Sequence, residues 1–402
     1  MKILISAFGT RGDVHPHLLW ALEAQKRKHE VILIISKGME YLLEKKGVPY
    51  ETYSGNTAQE QFGKLGNSRG ATIIILNRMR ELMLIQAKEL PRFCKNVDLI
   101  VGSSLDPFSK SVAEKYNIPF IRMVLTPIFG GENRPSILPF QSSPKWVNKM
   151  IWKLTNFSWE ILAKPQLNKG RKMIGLEPIR NFNNYIIEAP SLICLDKRLA
   201  PSAPQWPKNI TYTGYPFNVA NEQLPKDLLK FINNGEKPIY FGFGSMGNDN
   251  PIKTTKIILN AIKNTKIRAI VNKGWANLGG INLPENVFEI DNVCHNLLFS
   301  HIAGAVHHGG AGTTHTVAYA GIPQLIIPHI TDQFYYGQSI IENELGPKPI
   351  PFKKLNTENL TKGIRALQSS KYKQVAKEFS KNMINDGASR VINEIEKFVV
   401  KK

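Results

Sequence analysis

The sequence predicts an α/β protein built as two Rossmann-like domains. Three observations carry this. Short apolar runs of the buried-strand kind alternate with helical stretches along most of the chain, as in mostly parallel sheets. The 402 residues exceed one ordinary core, so two domains of about 200 residues each are expected. Two strand–glycine turn–helix–strand units, one starting at Lys2 and one at Gly304, have the form of a ligand-binding unit.

Composition narrows the function. Lys and Arg number 52 against 32 Asp and Glu, a formal charge of +20. Nucleic acid, an anionic membrane or a phosphorylated substrate each fit such an excess. The basic residues are dispersed and accompany no nucleic-acid motif, which argues against nucleic acid. A phosphorylated substrate, peripheral contact with an anionic membrane and a solvated lysine-rich surface are the readings left. No apolar run approaches the ~20 residues of a membrane span. The run after Met1-Lys2 is too short for a signal-peptide core. Cys94, Cys194 and Cys294 lie far apart without metal or redox spacing. The expected location is the cytoplasm, with peripheral contact at the inner face of the membrane.

Taken in order, residues 2–8 read as a strand, Gly9–Asp13 as a turn, 16–28 as a helix and 29–35 as a second strand. Asp13 thus falls at the carboxyl end of the first strand, at the mouth of a cleft. Its plainer reading is a helix N-cap carboxylate. GTRGD is not G-x-G-x-x-G, and Ser36-Lys37 rather than an acid follow the second strand, so a dinucleotide site is disfavoured. Residues 39–50 read as a helix ending at Gly47, 54–72 as a polar loop, and 71–90 as a helix suited to a pocket wall. Strands at 98–102 and 119–125 flank a helix at 109–116, and Thr126 follows the second of them.

Residues 127–185 break this rhythm with prolines at 127, 135, 139 and 144. The segment 145–162 then reads as a basic helix carrying Trp146, Ile151, Trp152, Phe157, Trp159 and Ile161. It suits the lining of a site for a flat apolar molecule, an interfacial helix on anionic lipid, or the core of an insertion. Residues 185–195 read as strand and turn. In the second half, strands are expected at 238–243, 267–272 and 287–291, and helices at 251–264, 357–367 and 371–402, the last broken near Asp386-Gly387.

The stretch 304–336 is the most informative. Gly309, Gly310 and Gly312 permit a sharp turn and close backbone approach to a bound group. Thr313 and Thr314 open a helix expected over 314–320, whose first amides attract anions. His307 and His308 stand just before the turn. Chemically this is a diphosphate cradle. Gln324–Pro328 reads as the next strand, and Asp332 and Gln333 as loop residues beyond it, an acid and an amide able to grip sugar hydroxyls. The plainer reading is a glycine turn without a ligand.

HHGGAGTT (307–314), AGIPQLIIP (320–328) and DQFYYG (332–337) resemble the donor-binding signature of family-one, nucleotide-sugar-dependent glycosyltransferases. The similarity is to the branch of sterol glucosyltransferases and bacterial antibiotic and natural-product glycosyltransferases. GTRGDVHPHLLWALE (9–23) resembles the family's N-terminal motif, with Asp13 where many members place a histidine base and this branch an aspartate. The resemblance implies a GT-B fold: an acceptor-binding domain over 1–215, a donor-binding domain over 216–385, and a helix over 386–402 that crosses back onto the first. Val391, Ile392, Ile395, Phe398 and Val399 give that helix an apolar face.

The activity implied is inverting transfer of glucose from UDP-glucose to a hydroxyl of a polyphenol, sterol or other lipid-like acceptor. A dTDP-sugar is the second candidate donor. By the resemblance Asp13 is the general base. Ser245, His308, Gly310, Gly312, Thr313 and Thr314 hold the diphosphate. Val293 and His295 lie at the nucleotide base, Asp332 and Gln333 at the donor sugar, and Thr10, His15, Thr126 and Phe129 at the acceptor. Three positions depart from the family. Cys294 replaces a proline, Asn292 stands where many relatives stack a tryptophan on the base, and Thr316 where some place a glutamate on the ribose. The absence of a D-x-D motif predicts no metal, and no cofactor is expected beyond the co-substrate; the protein is expected to be a monomer. Two alternatives are a nucleotide-sugar epimerase on the same scaffold and a non-catalytic, membrane-associated nucleotide-sugar-binding protein. The large apolar region 127–185 argues against the first and Asp13 against the second.

Overall fold

The apolar runs become strands because helices bury them on both faces, as parallel sheets require. In the computed structural model, residues 1–63, 71–104, 106, 108–135, 138–139, 141–217, 223–291 and 293–400 are described. Strands β1 (Lys2–Ala7), β2 (Glu30–Ile35), β3 (Tyr50–Thr52), β4 (Leu99–Gly102), β5 (Phe120–Val124), β6 (Ser191–Ile193) and β7 (Ile210–Tyr212) form one sheet, ordered 3-2-1-4-5-6-7. Strands β8 (Ile239–Gly242), β9 (Ala269–Asn272), β10 (Val287–Ile290), β11 (Gly304–His307) and β12 (Gln324–Ile326) form a second, ordered 10-9-8-11-12. Every pairing in both sheets is parallel.

Around the first sheet run α1 (Arg11–Lys26), α2 (Ala58–Phe62), α3 (Ala71–Glu89), α4 (Ser109–Lys115), α5 (Lys145–Leu162), α6 (Lys164–Met173) and α7 (Phe182–Ile187). Around the second run α8 (Lys226–Asn233), α9 (Pro251–Thr265), α10 (His295–Phe299), α11 (Ala311–Tyr319), α12 (Asp332–Glu342), α13 (Thr357–Leu367) and α14 (Ser370–Lys381). The last helix, α15 (Gly387–Val400), returns to the first domain and packs on α1. Val391, Ile392 and Ile395 are fully buried there. Arg27 at the end of α1 donates to Asn393 Oδ1 at 2.6 Å and Glu396 Oε2 at 3.1 Å, and His29 Nε2 lies 2.9 Å from Glu396 Oε1.

Several expected elements take another form. Helix α1 begins at Arg11, five residues before the Pro16 it contains, because Thr10 and Asp13 cap it there. The helix expected over 39–50 is a single 3-10 turn, Glu40–Leu42. Lys45 and Gly47 take φ of 62° and 71°, which a right-handed helix cannot continue through. Residues 182–187 are helical before β6, and the loop expected over 54–72 contains α2, its residues 64–70 lying outside the described ones.

Candidate functional site

Each sheet reverses its strand order at one place, between β1 and β4 in the first and between β8 and β11 in the second. Ligands of open α/β sheets bind beyond the carboxyl ends of the strands at such points. The residues following β1, β4, β8 and β11 line one cavity of ≈ 1500 Å³ between the domains.

On the first wall, the chain leaves β1 through Gly9 at φ 135° and enters α1. A Cβ on Gly9 would lie 2.2 Å from Asp13 Oδ2, so only glycine lets this carboxylate fold back over the strand end. The Thr10 backbone N–H donates to Asp13 Oδ2 at 2.8 Å, and the Thr10 hydroxyl lies 3.4 Å from it. Asp13 is therefore both the third residue of its helix, closing a capping box, and a wall of the cavity. Burial raises its carboxyl from 3.8 to about 6, and the charge of Asp332 adds to the rise against the Thr10 hydrogen bonds. His15 lines the cavity. His17 does not: it is buried, and its Nδ1–H donates to the Asp13 carbonyl at 2.6 Å.

On the second wall, two adjacent histidines do different work. His307 is buried inside the turn. Its Nδ1 accepts from the Gly309 N–H at 3.1 Å and its Nε2 pairs with Gln324 Oε1 at 2.9 Å. His308 faces the cavity, wedged between Gly244 and Gly310, where added Cβ atoms would come within 2.9 and 2.4 Å of its ring. Burial pushes the His308 imidazole down to about 4 despite the nearby Gly242 carbonyl, so at neutral pH it is uncharged. Gly310 is the N-cap of α11, so the helix opens three residues earlier than the sequence suggests. Ala311, Gly312 and Thr313 carry its unpaired amides into the cavity, and Ser245 joins them from the turn after β8.

Thr314 requires correction. It is fully buried, donates its hydroxyl to the Gly310 carbonyl at 2.9 Å, and does not line the cavity. Asp332 and Gln333 are also placed differently. They open α12 rather than sit in a loop. Asp332 lines the cavity and accepts from the Thr331 hydroxyl at 2.9 Å, and burial raises its carboxyl to about 6. Gln333 spends its Oε1 on the His329 and Ile330 amides at 2.8 and 3.2 Å, which leaves its Nε2, beside Met246 Sδ, toward the cavity. Thr316 lines the cavity but donates its hydroxyl to the Gly312 carbonyl at 2.8 Å. Val293 and His295 line it at the start of α10, and His295 stacks on Phe299 at 4.9 Å. Asn292 lies outside the described residues.

The remaining wall belongs to the first domain and is apolar. Thr10, Thr126 and Phe129 line it, with Met79 of α3, Trp152 and Trp159 of α5, and Phe182 of α7. Among the described residues no group of three or more His, Cys, Asp and Glu side chains is arranged to hold a metal ion.

Comparison with known proteins places this geometry. Residues 3–132 match the glycosyltransferase family 28 N-terminal domain, and residues 264–398 the erythromycin biosynthesis protein CIII-like C-terminal domain. Sterol 3-beta-glucosyltransferase UGT80B1 of Arabidopsis thaliana is 32% identical over 98% of this chain and 67% of its own length. The chain belongs to the GT-B glycosyltransferases, in the branch of the sterol and antibiotic enzymes. Glycosyltransferase GtfE of Amycolatopsis orientalis is 28% identical over 86% of the chain and 85% of its own length. The fold of this glycosyltransferase is also that of glycosyltransferase VinC, solved in complex with dTDP, with a TM-score of 0.71 at 15% identity and full coverage of both chains. The glycosyltransferase spans about two thirds of UGT80B1 and about a third of the yeast sterol 3-beta-glucosyltransferases it matches.

Four lining residues of the glycosyltransferase escape sequence reasoning. Arg11 and Lys273 bring positive charge to the cavity, and Tyr215 sets its hydroxyl where a Cβ on Gly312 would meet it at 2.6 Å. Arg122 is buried behind the apolar wall of the first domain, and its Nη1 donates to the Ile186 carbonyl at 2.7 Å. A basic residue inside the apolar strand PFIRMVL was the available signal for Arg122. Arg11 had one too, since it lies in the Gly9–Asp13 turn beside Asp13.

Proposed function

We propose that this glycosyltransferase moves glucose from UDP-glucose to a hydroxyl of an apolar acceptor, sterol-like or polyphenolic, with inversion to a β-glycoside. The observation that carries the reading is the placement of Asp13 and the α11 start on opposite walls of one cavity. Asp13 takes the proton of the acceptor hydroxyl as its oxygen attacks the anomeric carbon. The bond from that carbon to the diphosphate breaks, and its electron pair stays on the leaving phosphate oxygen. The amides of Ala311, Gly312 and Thr313, the neutral His308 ring and Ser245 donate toward that growing charge. A carboxyl raised to about 6 is ionised at pH 7 to 8 yet more basic than an ordinary aspartate, which suits a general base.

Asp332 and the Gln333 amide hold the hydroxyls of the donor sugar. Val293 and His295 flank the nucleotide base. Thr316, its proton already given to Gly312, distinguishes a ribose from a deoxyribose weakly, so dTDP-glucose is the competing donor. Thr10, His15, Thr126 and Phe129 meet the acceptor near its reacting hydroxyl. The names of the sterol 3-beta-glucosyltransferase relatives and the apolar α5 wall both favour a flat, lipid-like acceptor. The protein works as a monomer in the cytoplasm, at the inner face of the membrane.

The test incubates purified protein with UDP-glucose or dTDP-glucose and a panel of sterols and polyphenols, with products identified by mass spectrometry and the anomer by NMR. A β-glucoside is the expected product. Epimerised donor without any acceptor product, or an α-linked product, would overturn the reading.

A further inference from the structure

Helix α5 has two unlike faces. At 100° per residue, Trp152, Thr155, Asn156, Ser158 and Trp159 fall on one side, and all five line the cavity. Trp146, Met150, Leu154, Phe157 and Ile161 fall in an arc about 80° wide, centred about 160° from that side. All five of these are exposed, Trp146 by 67%, Leu154 by 61% and Phe157 by 64%. They form a continuous apolar ridge about 22 Å long. An isolated exposed apolar side chain is ordinary, whereas a contiguous patch including a tryptophan and a phenylalanine marks an interaction surface.

Charge selects the partner. Lys153 borders the ridge, and Lys149 and Lys145 step round the helix from it, sharing Glu132 at 2.9 and 3.3 Å. Residues 145–173 hold seven basic side chains and one acidic, Glu160, in a chain of formal charge +20. Lys164 meets Glu160 and the buried Arg171 meets Glu114, so Lys153, Lys169 and Lys172 carry most of the local excess. An apolar ridge with a tryptophan, bordered by a lysine, matches the boundary between anionic headgroups and acyl chains, where lysine stems and indole rings are at home. The described helices include none long and apolar enough to cross a membrane, so the fit is to a surface.

We infer that α5 is a membrane-docking helix: its outer ridge lies in an anionic bilayer surface while its inner face walls the acceptor cavity. The cavity then sits about one helix diameter, roughly 10 Å, from the lipid. Ile187, at the end of the neighbouring α7, is both exposed and part of the cavity lining, so the cavity reaches the protein surface beside α5. An acceptor held in the bilayer has a short path to Asp13. This last step rests on the proposed transfer to a lipid-like acceptor; the docking itself does not.

The experiment is co-sedimentation of the full chain, without nucleotide sugar, with vesicles of phosphatidylcholine alone or mixed with phosphatidylglycerol. Binding to the mixed vesicles is expected to exceed binding to the neutral ones and to weaken with salt. The triple variant Trp146→Ser, Leu154→Ser, Phe157→Ser is expected to lose at least about tenfold in partitioning. Its thermal midpoint and its transfer to a soluble phenol should stay unchanged, because none of the three residues lines the cavity. Equal partitioning of the triple variant and the parent overturns the inference. So does a ridge-dependent dimer in analytical ultracentrifugation without vesicle binding, which would make a second copy the occupant. Vesicle binding without glucosylation of any embedded lipid supports docking and defeats the proposed acceptor class. Transfer to soluble phenols without vesicle binding does the reverse.

Discussion

Asp13 carries opposed demands on one carboxylate. As the third residue of α1 it accepts the Thr10 amide and steadies the helix start, and an ionised acid is preferred for that. As a cavity wall facing Asp332 it is pushed toward the protonated form. The second effect wins, and it has a sign for stability. A carboxyl raised in the folded state binds its proton more tightly there than in the unfolded chain. The cost of ionising it is therefore fully present above about pH 6 and fades as the pH falls toward 3.8. Replacing Asp13 by Asn keeps an acceptor for the Thr10 amide and removes the charge. At pH 8 the Asp13→Asn protein is expected to gain about 1–2 kcal/mol, the full shift being discounted for partial exposure, and to lose transfer by at least ~10³-fold with unchanged UDP affinity. Calorimetric unfolding, isothermal titration and product assays check the three parts. In the parent protein, kcat/KM is expected to fall tenfold per pH unit below about 6. A profile flat down to pH 5 would remove Asp13 as the base.

Gly9 and His308 give two further expectations at this scale. Gly9→Ala would drive a methyl group into the Asp13 carboxylate from a backbone at φ 135°, so transfer should drop by about a hundredfold with little change in donor KM. His308→Ala should instead weaken UDP binding by about tenfold, the loss of one good donor to a phosphate, measured by titration calorimetry. His307→Ala would act differently, on folding, because His307 holds the turn from inside. The sequence placed both histidines before the turn. Family resemblance pointed to His308, and the structure gives the geometry: His307 ends β11, whose four residues are all buried, and the turn that follows brings His308 to the cavity.

Among the elements, α11 concentrates the argument. Thr314 Oγ1, His315 Nδ1 and Thr316 Oγ1 each bond back to the carbonyl four residues earlier, so the polar side chains of its second turn serve the helix itself. What reaches the cavity is backbone. Side-chain chemistry made Thr313 and Thr314 look equivalent, and only the helical rotation of about 100° per residue separates them. The Nε2 of His315, fully buried, accepts the Asp196 amide of the first domain at 3.0 Å, a tie between domains 119 residues apart in sequence. Tyr215 stacks on His315 and presses its hydroxyl against Gly312. Gly312→Ala should therefore cost donor affinity, and Tyr215→Phe should restore part of it by removing the obstructing oxygen. A double variant no better than Gly312→Ala alone would show that the methyl group blocks the diphosphate directly.

For the whole molecule, α15 is the tie whose removal is cleanest. Its buried Val391, Ile392 and Ile395 each contribute about 1.5–3 kcal/mol by burial against the first domain. Truncation after Asp386 should lower the unfolding midpoint by several degrees in differential scanning fluorimetry, and the first domain should become the first to unfold. Most strands and the long helices were legible in the sequence because each is a local pattern. A parallel strand buried on both faces is a continuous apolar run, and 145–162 or 387–400 shows a helical stripe that neighbours only confirm. The failures were at short elements. The 3-10 turn at Glu40–Leu42 and the α1 start ahead of Pro16 depend on single caps and φ values that compete closely with a longer or shorter helix.

The α/β class, the glycine turn that opens α11, and Asp13 at the end of the first strand were readable from the chain alone. Each follows from residues close together in the chain. Packing decided that these meet in one cavity, that burial lifts Asp13 and Asp332 each to about 6, with the charge of Asp332 adding to the rise of Asp13, and that Arg11, Lys273, Arg122 and Tyr215 belong to the lining. It also decided that α5 shows one face to the cavity and the other to solvent. The physical reason is common to all of these. Burial and electrostatic neighbourhood are properties of surfaces brought together by packing, and a chain pattern fixes which surface is apolar without fixing what it will face.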